Sequence, residues 1–178
     1  MAGHTSGVDE VFEMALRYED EGRTILLNAK EAVENPLAKA TFDFLANEEL
    51  KHIDAIKRFA ETLSGSGEFD PNNLTAISGE DAKRRVKHIF ERFRTAFESV
   101  GAGDQPRLET YRVAMDMERH GHDFYSRAAR QSDDAKTKRL FEFLAEEEIR
   151  HFELIQDTHD YLLQPDALMA IEERWMQI

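Results

Sequence analysis

The chain has 178 residues, 41% of them hydrophobic and 33% charged, with a formal net charge of −13. It is long enough to bury a core, too apolar to be disordered, and too acidic for general binding to nucleic-acid phosphates. It contains no cysteine, which removes disulfides, thiol catalysis, iron–sulfur clusters and cysteine-based zinc sites together.

Residues 1–8 read as a loose tail with no signal-peptide pattern, so a cytoplasmic location is expected. No apolar run approaches the roughly 18 residues of a membrane span, and no membrane attachment is expected. From about Asp9 to Val33, apolar or small residues recur as Val11, Ala15, Tyr18, Gly22, Leu26, Ala29 and Val33, a stripe at helical period. Asn35-Pro36 breaks it and offers a helix start, with Asn as N-cap and Pro at the first helical position. Phe42, Leu45, Ile53, Ile56, Phe59 and Leu63 mark a second helix, which ends before Ser64-Gly65-Ser66-Gly67.

Ser78-Gly79-Glu80-Asp81 resembles a capping box and opens a third helix, within a long crossover over about 65–105, that ends at Gly101-Ala102-Gly103. A fourth helix is expected from about Pro106 to Arg130 and a fifth from about Asp133 to Leu163. Pro165 punctuates, and a short helix over about 166–177 carries Leu168, Ile171 and Trp175. That piece is apolar enough to dock on its own bundle or on another subunit. The expected architecture is all-α, one domain with hairpins over about 9–64 and 106–163.

The two hairpins are copies of one another. Leu45–His52 reads LANEELKH, and Leu144–His151 reads LAEEEIRH. Placed over one another without gaps, residues 15–56 and 114–155 are identical at thirteen of forty-two positions. Each octet ends in Glu-x-x-His, Glu49 with His52 and Glu148 with His151. Thirty residues before each of these glutamates stands another, Glu19 and Glu118.

Hairpin geometry brings these residues together. The midpoint of 19 and 49 falls beside Asn35-Pro36, and that of 118 and 148 falls within Gln131–Asp134. Each Glu is therefore about 22 Å from its turn at the helical rise of 1.5 Å per residue, and folding brings all four to one height. Each also lies on its helix's apolar stripe, and a residue three positions on shares that face, so the histidines look inward too. Four carboxylates at one level of an apolar core are very costly unless cations neutralise them. Oxygen plus imidazole, without sulfur, selects iron or manganese, with zinc a possible substitute. A Glu from each of two helices plus Glu-x-x-His from two others is the ligand pattern of di-iron and di-manganese carboxylate bundles.

On these residues the chain resembles the ferritin-like superfamily, nearest its rubrerythrin branch, over about residues 9–163. The resemblance implies a ferritin-like four-helix bundle holding two iron ions. Glu49 and Glu148 would bridge the metals, Glu19 and Glu118 would bind terminally, and His52 and His151 would each ligate one. Tyr125, seven residues after Glu118, matches a tyrosine that rubrerythrins place near the site; the first repeat has Leu26 there. Two departures stand out. These 178 residues contain no cysteine for a rubredoxin-like domain, so electrons would be expected to come from a separate donor protein such as a rubredoxin. Gly121 also replaces an extra Glu that rubrerythrins tend to carry, leaving a symmetric set closer to that of bacterioferritin.

The resemblance implies a non-haem di-iron oxidoreductase that reduces hydrogen peroxide or dioxygen in the response to oxidative stress. The alternatives are a ferroxidase or iron-storage protein, for which ferrous iron is the substrate, and a structural module clamped by metal. A homodimer or larger homo-oligomer is expected. Gly22 and Gly121, one turn from the ligand glutamates, either leave room beside the metals for a small oxidant or allow close helix packing. Glu48 and Glu147 turn about 100° away and are left off the site. His122 is read as a bundle-edge residue, and His88, His120 and His159 as surface ones.

Overall fold

The computed structural model describes residues 5–63 and 108–163. Among the described residues there are four helices and no strand: α1 (Thr5–Ala32), α2 (Pro36–Leu63), α3 (Leu108–Gln131) and α4 (Ala135–Leu163). The helix and capping box expected in the crossover, His88, and the C-terminal helix over 166–177 lie outside the described residues. None of the described helices is long and apolar enough to cross a membrane.

Side-chain caps set the turns. Asn35 Oδ1 accepts the Leu37 and Ala38 amides at 2.8 and 3.4 Å, which satisfies donors left open at the start of α2. Pro36 follows as the first helical residue, where its missing N–H costs nothing. In the second hairpin Asp134 takes the same part. Its Oδ2 accepts both the Thr137 amide at 2.7 Å and the Thr137 hydroxyl at 2.8 Å. The amide of Thr137 is also what holds the Asp134 carboxyl below its ordinary pKa. The first helix begins at Thr5 rather than near Asp9, because apolar periodicity marks the packed part of a helix and not its first turn.

Within each hairpin the two helices pack along their length, and the hairpins meet where α1 lies on α3 and α2 on α4. The apolar core is in two parts. One contains Leu26, Leu37, Phe42, Leu45, Tyr111 and Ile155; the other contains Phe12, Ala15, Ile56, Phe59, Tyr125, Phe141 and Leu144. Each fully buried Leu, Ile or Phe contributes roughly 1.5–3 kcal/mol, and together these clusters can carry a costly polar layer. Along every helix the chain crosses from one cluster to the other, and Glu19, Glu49, Glu118 and Glu148 stand at the crossings. The polar layer therefore lies between the two apolar halves.

Candidate metal centre

All six ligand candidates are buried, and Glu118 has no exposure at all. Nδ1 of His52 lies 3.2 Å from Glu19 Oε2 and 3.1 Å from Glu49 Oε2. Nδ1 of His151 lies 3.1 Å from the other oxygen of Glu49. Slightly farther out, Glu148 Oε1 is 3.6 Å from His52 Nδ1, and Glu118 Oε2 is 3.6 Å from His151 Nδ1. The two imidazoles stack with their centroids 5.2 Å apart.

These distances resolve into two groups of four. Glu19, Glu49, His52 and Glu148 each present one ligand atom within 4.8 Å of the others, and so do Glu49, Glu118, Glu148 and His151. Glu49 and Glu148 belong to both groups, whereas each of the other four belongs to one. The repeat in the sequence has become a pseudo-twofold arrangement in space.

The electrostatics are those of an unneutralised ring. Burial, and then Glu49, pushes Glu19 up to about 8. Burial also raises Glu118, and it raises Glu148 well above the usual carboxylate range with help from Glu49, Glu19 and Glu118. Glu49 goes the other way. Burial opposes its ionisation, but Glu19, His151 and His52 outweigh that and hold it well below its ordinary value. Both histidines are raised despite burial, His52 by Glu19 and Glu49, His151 to about 10 by Glu118 and Glu49.

The residues fit a cation pair. Both oxygens of Glu118 and Oε1 of Glu148 are buried with no hydrogen-bond partner. A buried carboxylate left so costs several kcal/mol. Hard oxygen donors with two imidazoles and no thiolate suit iron or manganese. A model of the rubrerythrin family matches residues 10–159. The chain belongs to the rubrerythrin family. Neither a curated protein nor a solved structure matched it. Membership implies a di-iron site, and the buried acidic and histidine groups of this family member could hold metal.

Tyr125, expected near the ring from the resemblance, is fully buried and donates its hydroxyl to Glu19 Oε1. Burial, and then Glu19, raises its pKa well above the phenol's usual value. Tyr18 was legible only as a member of the α1 stripe. It donates its hydroxyl to the Met117 carbonyl, stacks on Phe124 at 5.8 Å and meets Tyr125 edge-on at 6.2 Å. Its position directly before Glu19 was the one available signal.

Of the two readings of the glycines, close packing is the one found: the space over both is filled rather than open. A Cβ on Gly22 would meet Met117 Sδ at 2.9 Å, and one on Gly121 would meet Glu148 Oε2 at 2.5 Å and Tyr18 Cε1 at 2.9 Å. His159 is not a surface residue; it is buried, with its ring 5.1 Å from that of Tyr111. Glu48 and Glu147 do turn away from the ring, yet both are buried. Each is neutralised by a cation three residues on, Lys51 at 2.6 Å and Arg150 respectively. His120 is exposed as expected, and His122 sits at the bundle edge with its Nδ1–H donating to the Ala145 carbonyl at 3.0 Å.

Proposed function

We propose that the chain is a non-haem di-iron oxidoreductase that reduces hydrogen peroxide or dioxygen, with electrons from a separate donor protein such as a rubredoxin. The observation that carries this is the pair of four-residue groups sharing Glu49 and Glu148. In this reading Glu49 and Glu148 would hold both cations, Glu19 with His52 would complete one set, and Glu118 with His151 would complete the other. When bound, the metal pair supplies the electrons and Lewis acidity that the chemistry requires. Peroxide reduction then balances as one peroxide, two electrons and two protons giving two waters.

The protein's own part is to position, exclude water and manage protons. The apolar clusters on either side keep bulk water from the ring, so charge on the carboxylates is worth more than it is in water. Tyr125 fixes the orientation of Glu19 through its hydroxyl. Glu49, touching both imidazoles through its two oxygens, holds them at one level. The Tyr18 and Tyr125 hydroxyls add two further proton-bearing groups near the carboxylates, and both keep their protons under ordinary conditions.

A second reading, ferroxidase activity with ferrous iron as substrate, is favoured by Gly121. The place where rubrerythrins tend to carry an additional Glu is already taken up by Glu148 and Tyr18, so the ligand set stays symmetric. Anaerobic loading with ferrous iron, followed by stopped-flow mixing with peroxide and separately with oxygen, tests the proposal. Fast oxidation by peroxide, with repeated turnover when reduced rubredoxin is supplied, is the expected result. Continued oxidation of excess ferrous iron without a donor would instead establish the ferroxidase reading.

A further inference from the structure

Glu147 is a buried acid that the metal ring does not use. It stands one residue before Glu148, at 3% exposure. One of its oxygens, a nitrogen of His52 and a nitrogen of His151 all lie within 4.8 Å of one another. Each histidine directs Nδ1 at the carboxylate ring, so Nε2 is the nitrogen left for Glu147. Glu147 Oε1 is buried with no hydrogen-bond partner, and the three atoms are close enough for one cation to touch all of them. On α4, Glu147 and His151 are four residues apart, on one face and one turn from each other. The two hairpins differ here: Glu48, at the equivalent position, forms no such group with the histidines and gives both oxygens to Lys51, at 2.6 and 2.9 Å.

We infer that His52, Glu147 and His151 form an outer subsite for a divalent cation, from which metal is passed to the inner ring. The inference rests on the ring's being a metal centre. A neutral imidazole has a single lone pair, so a histidine cannot serve the outer subsite and the ring at once without losing its N–H proton. The outer position is therefore a station on the way and not a third resident ion. Arg150 completes the device. Its guanidinium pairs with Glu147 and, at 3.6 Å, with Glu146, standing in for the cation's charge, and its side chain is 45% exposed. An arriving cation displaces Arg150 and takes Glu147 and Nε2 of each imidazole, the Nε2 protons leaving to water, and it moves inward as each ring's remaining proton passes from Nδ1 to Nε2. Both oxygens of Glu118 wait there without partners.

The test is anaerobic stopped-flow mixing of the metal-free full chain with Co²⁺, followed by its ligand-field absorption, for wild type, Glu147→Gln and Arg150→Gln. Thermal unfolding of each variant confirms that it is folded. Glu147→Gln is expected to slow uptake by roughly tenfold, the lower end of what supporting residues contribute to metal binding, while the cobalt held at saturation stays at the wild-type level. Arg150→Gln is expected to speed uptake. Glu147→Gln loading at the wild-type rate overturns the inference, as does a loss of cobalt at saturation in that variant. Should Glu147→Gln fail to fold, an unchanged rate in Arg150→Gln overturns it. Wild type that takes up no cobalt at all refutes the underlying metal centre, a result distinct from the others.

Discussion

Gly121 and Glu148 are fitted to each other: a Cβ on Gly121 would stand 2.5 Å from Glu148 Oε2. The side chain missing from α3 is thus space for a ring carboxylate on α4. Across the pseudo-twofold Gly22 stands to Met117 as Gly121 does to Tyr18, and its neighbour is a flexible thioether at 2.9 Å. Alanine should therefore act differently at the two glycines. A helix gains about 1 kcal/mol when Gly becomes Ala. At Gly22 that gain offsets a small displacement of Met117, so thermal stability and metal content stay close to wild type. At Gly121 the new methyl must push Glu148 or Tyr18 aside, and metal affinity falls even if the metal-free chain melts no lower. Isothermal titration with metal on both variants checks this; equal affinities would contradict it.

Tyr125→Phe removes the hydroxyl that Glu19 Oε1 accepts. Leaving a buried hydrogen-bonding group without its partner costs about 1–3 kcal/mol, so the metal-free variant should unfold at a measurably lower temperature. Its metal-bound optical spectrum should also shift, since Glu19 loses the group that orients it. Equilibrium denaturation together with the cobalt absorption spectrum measures both effects.

Stability of the metal-free chain should fall as pH rises. Glu19 is raised from 4.5 to about 8, by burial first and Glu49 next. Against burial, Glu118 and Glu49 raise His151 from 6.5 to about 10. Each group holds its proton more tightly when folded than when unfolded. Its contribution is complete below the unfolded value and is lost as pH rises through the folded one. The windows are therefore about 4.5 to 8 for Glu19 and about 6.5 to 10 for His151. The depressed Glu49 acts in the opposite sense, but below the ordinary carboxylate range. Saturating metal displaces these same protons, so the metal-bound chain should lose much less stability over this range. Calorimetric scans with and without metal, stepped from weakly acid to alkaline pH, decide it. A flat profile for the metal-free chain would be the contrary result.

The turn caps offer a control. Asn35→Ala and Asp134→Ala each remove a side chain that accepts amides at a helix start. Each should cost about 1 kcal/mol and leave metal stoichiometry unchanged, because the helix faces that carry the ligands are set elsewhere. Urea denaturation and elemental analysis of the two variants give both quantities.

Much of this molecule could be read from the chain alone, for a physical reason. A repeat with no insertion, and turns placed midway between paired glutamates, left few ways for the helices to fold back. Asn35-Pro36 and the six ligand candidates follow from spacing, since helical rise and period are nearly constant. What spacing could not supply was occupancy of volume. Nothing in the order of residues says that Met117 fills the place over Gly22, or that Tyr18 lies against Gly121. Those contacts depend on how α1 lies on α3. The burial of Glu147 and of His159 was not legible for a related reason: helical phase gives direction from one axis, whereas burial depends on everything packed around it. Arg150 and Tyr111, their neighbours, belong to a three-dimensional arrangement that a single stripe does not encode.

The most direct measurement is anaerobic titration of the metal-free chain with ferrous iron, followed by Mössbauer spectroscopy after oxidation. The account predicts retention of roughly two irons per chain, with the oxidised pair coupled to a diamagnetic ground state. A folded chain that retains no iron, or holds one uncoupled ion, would contradict it.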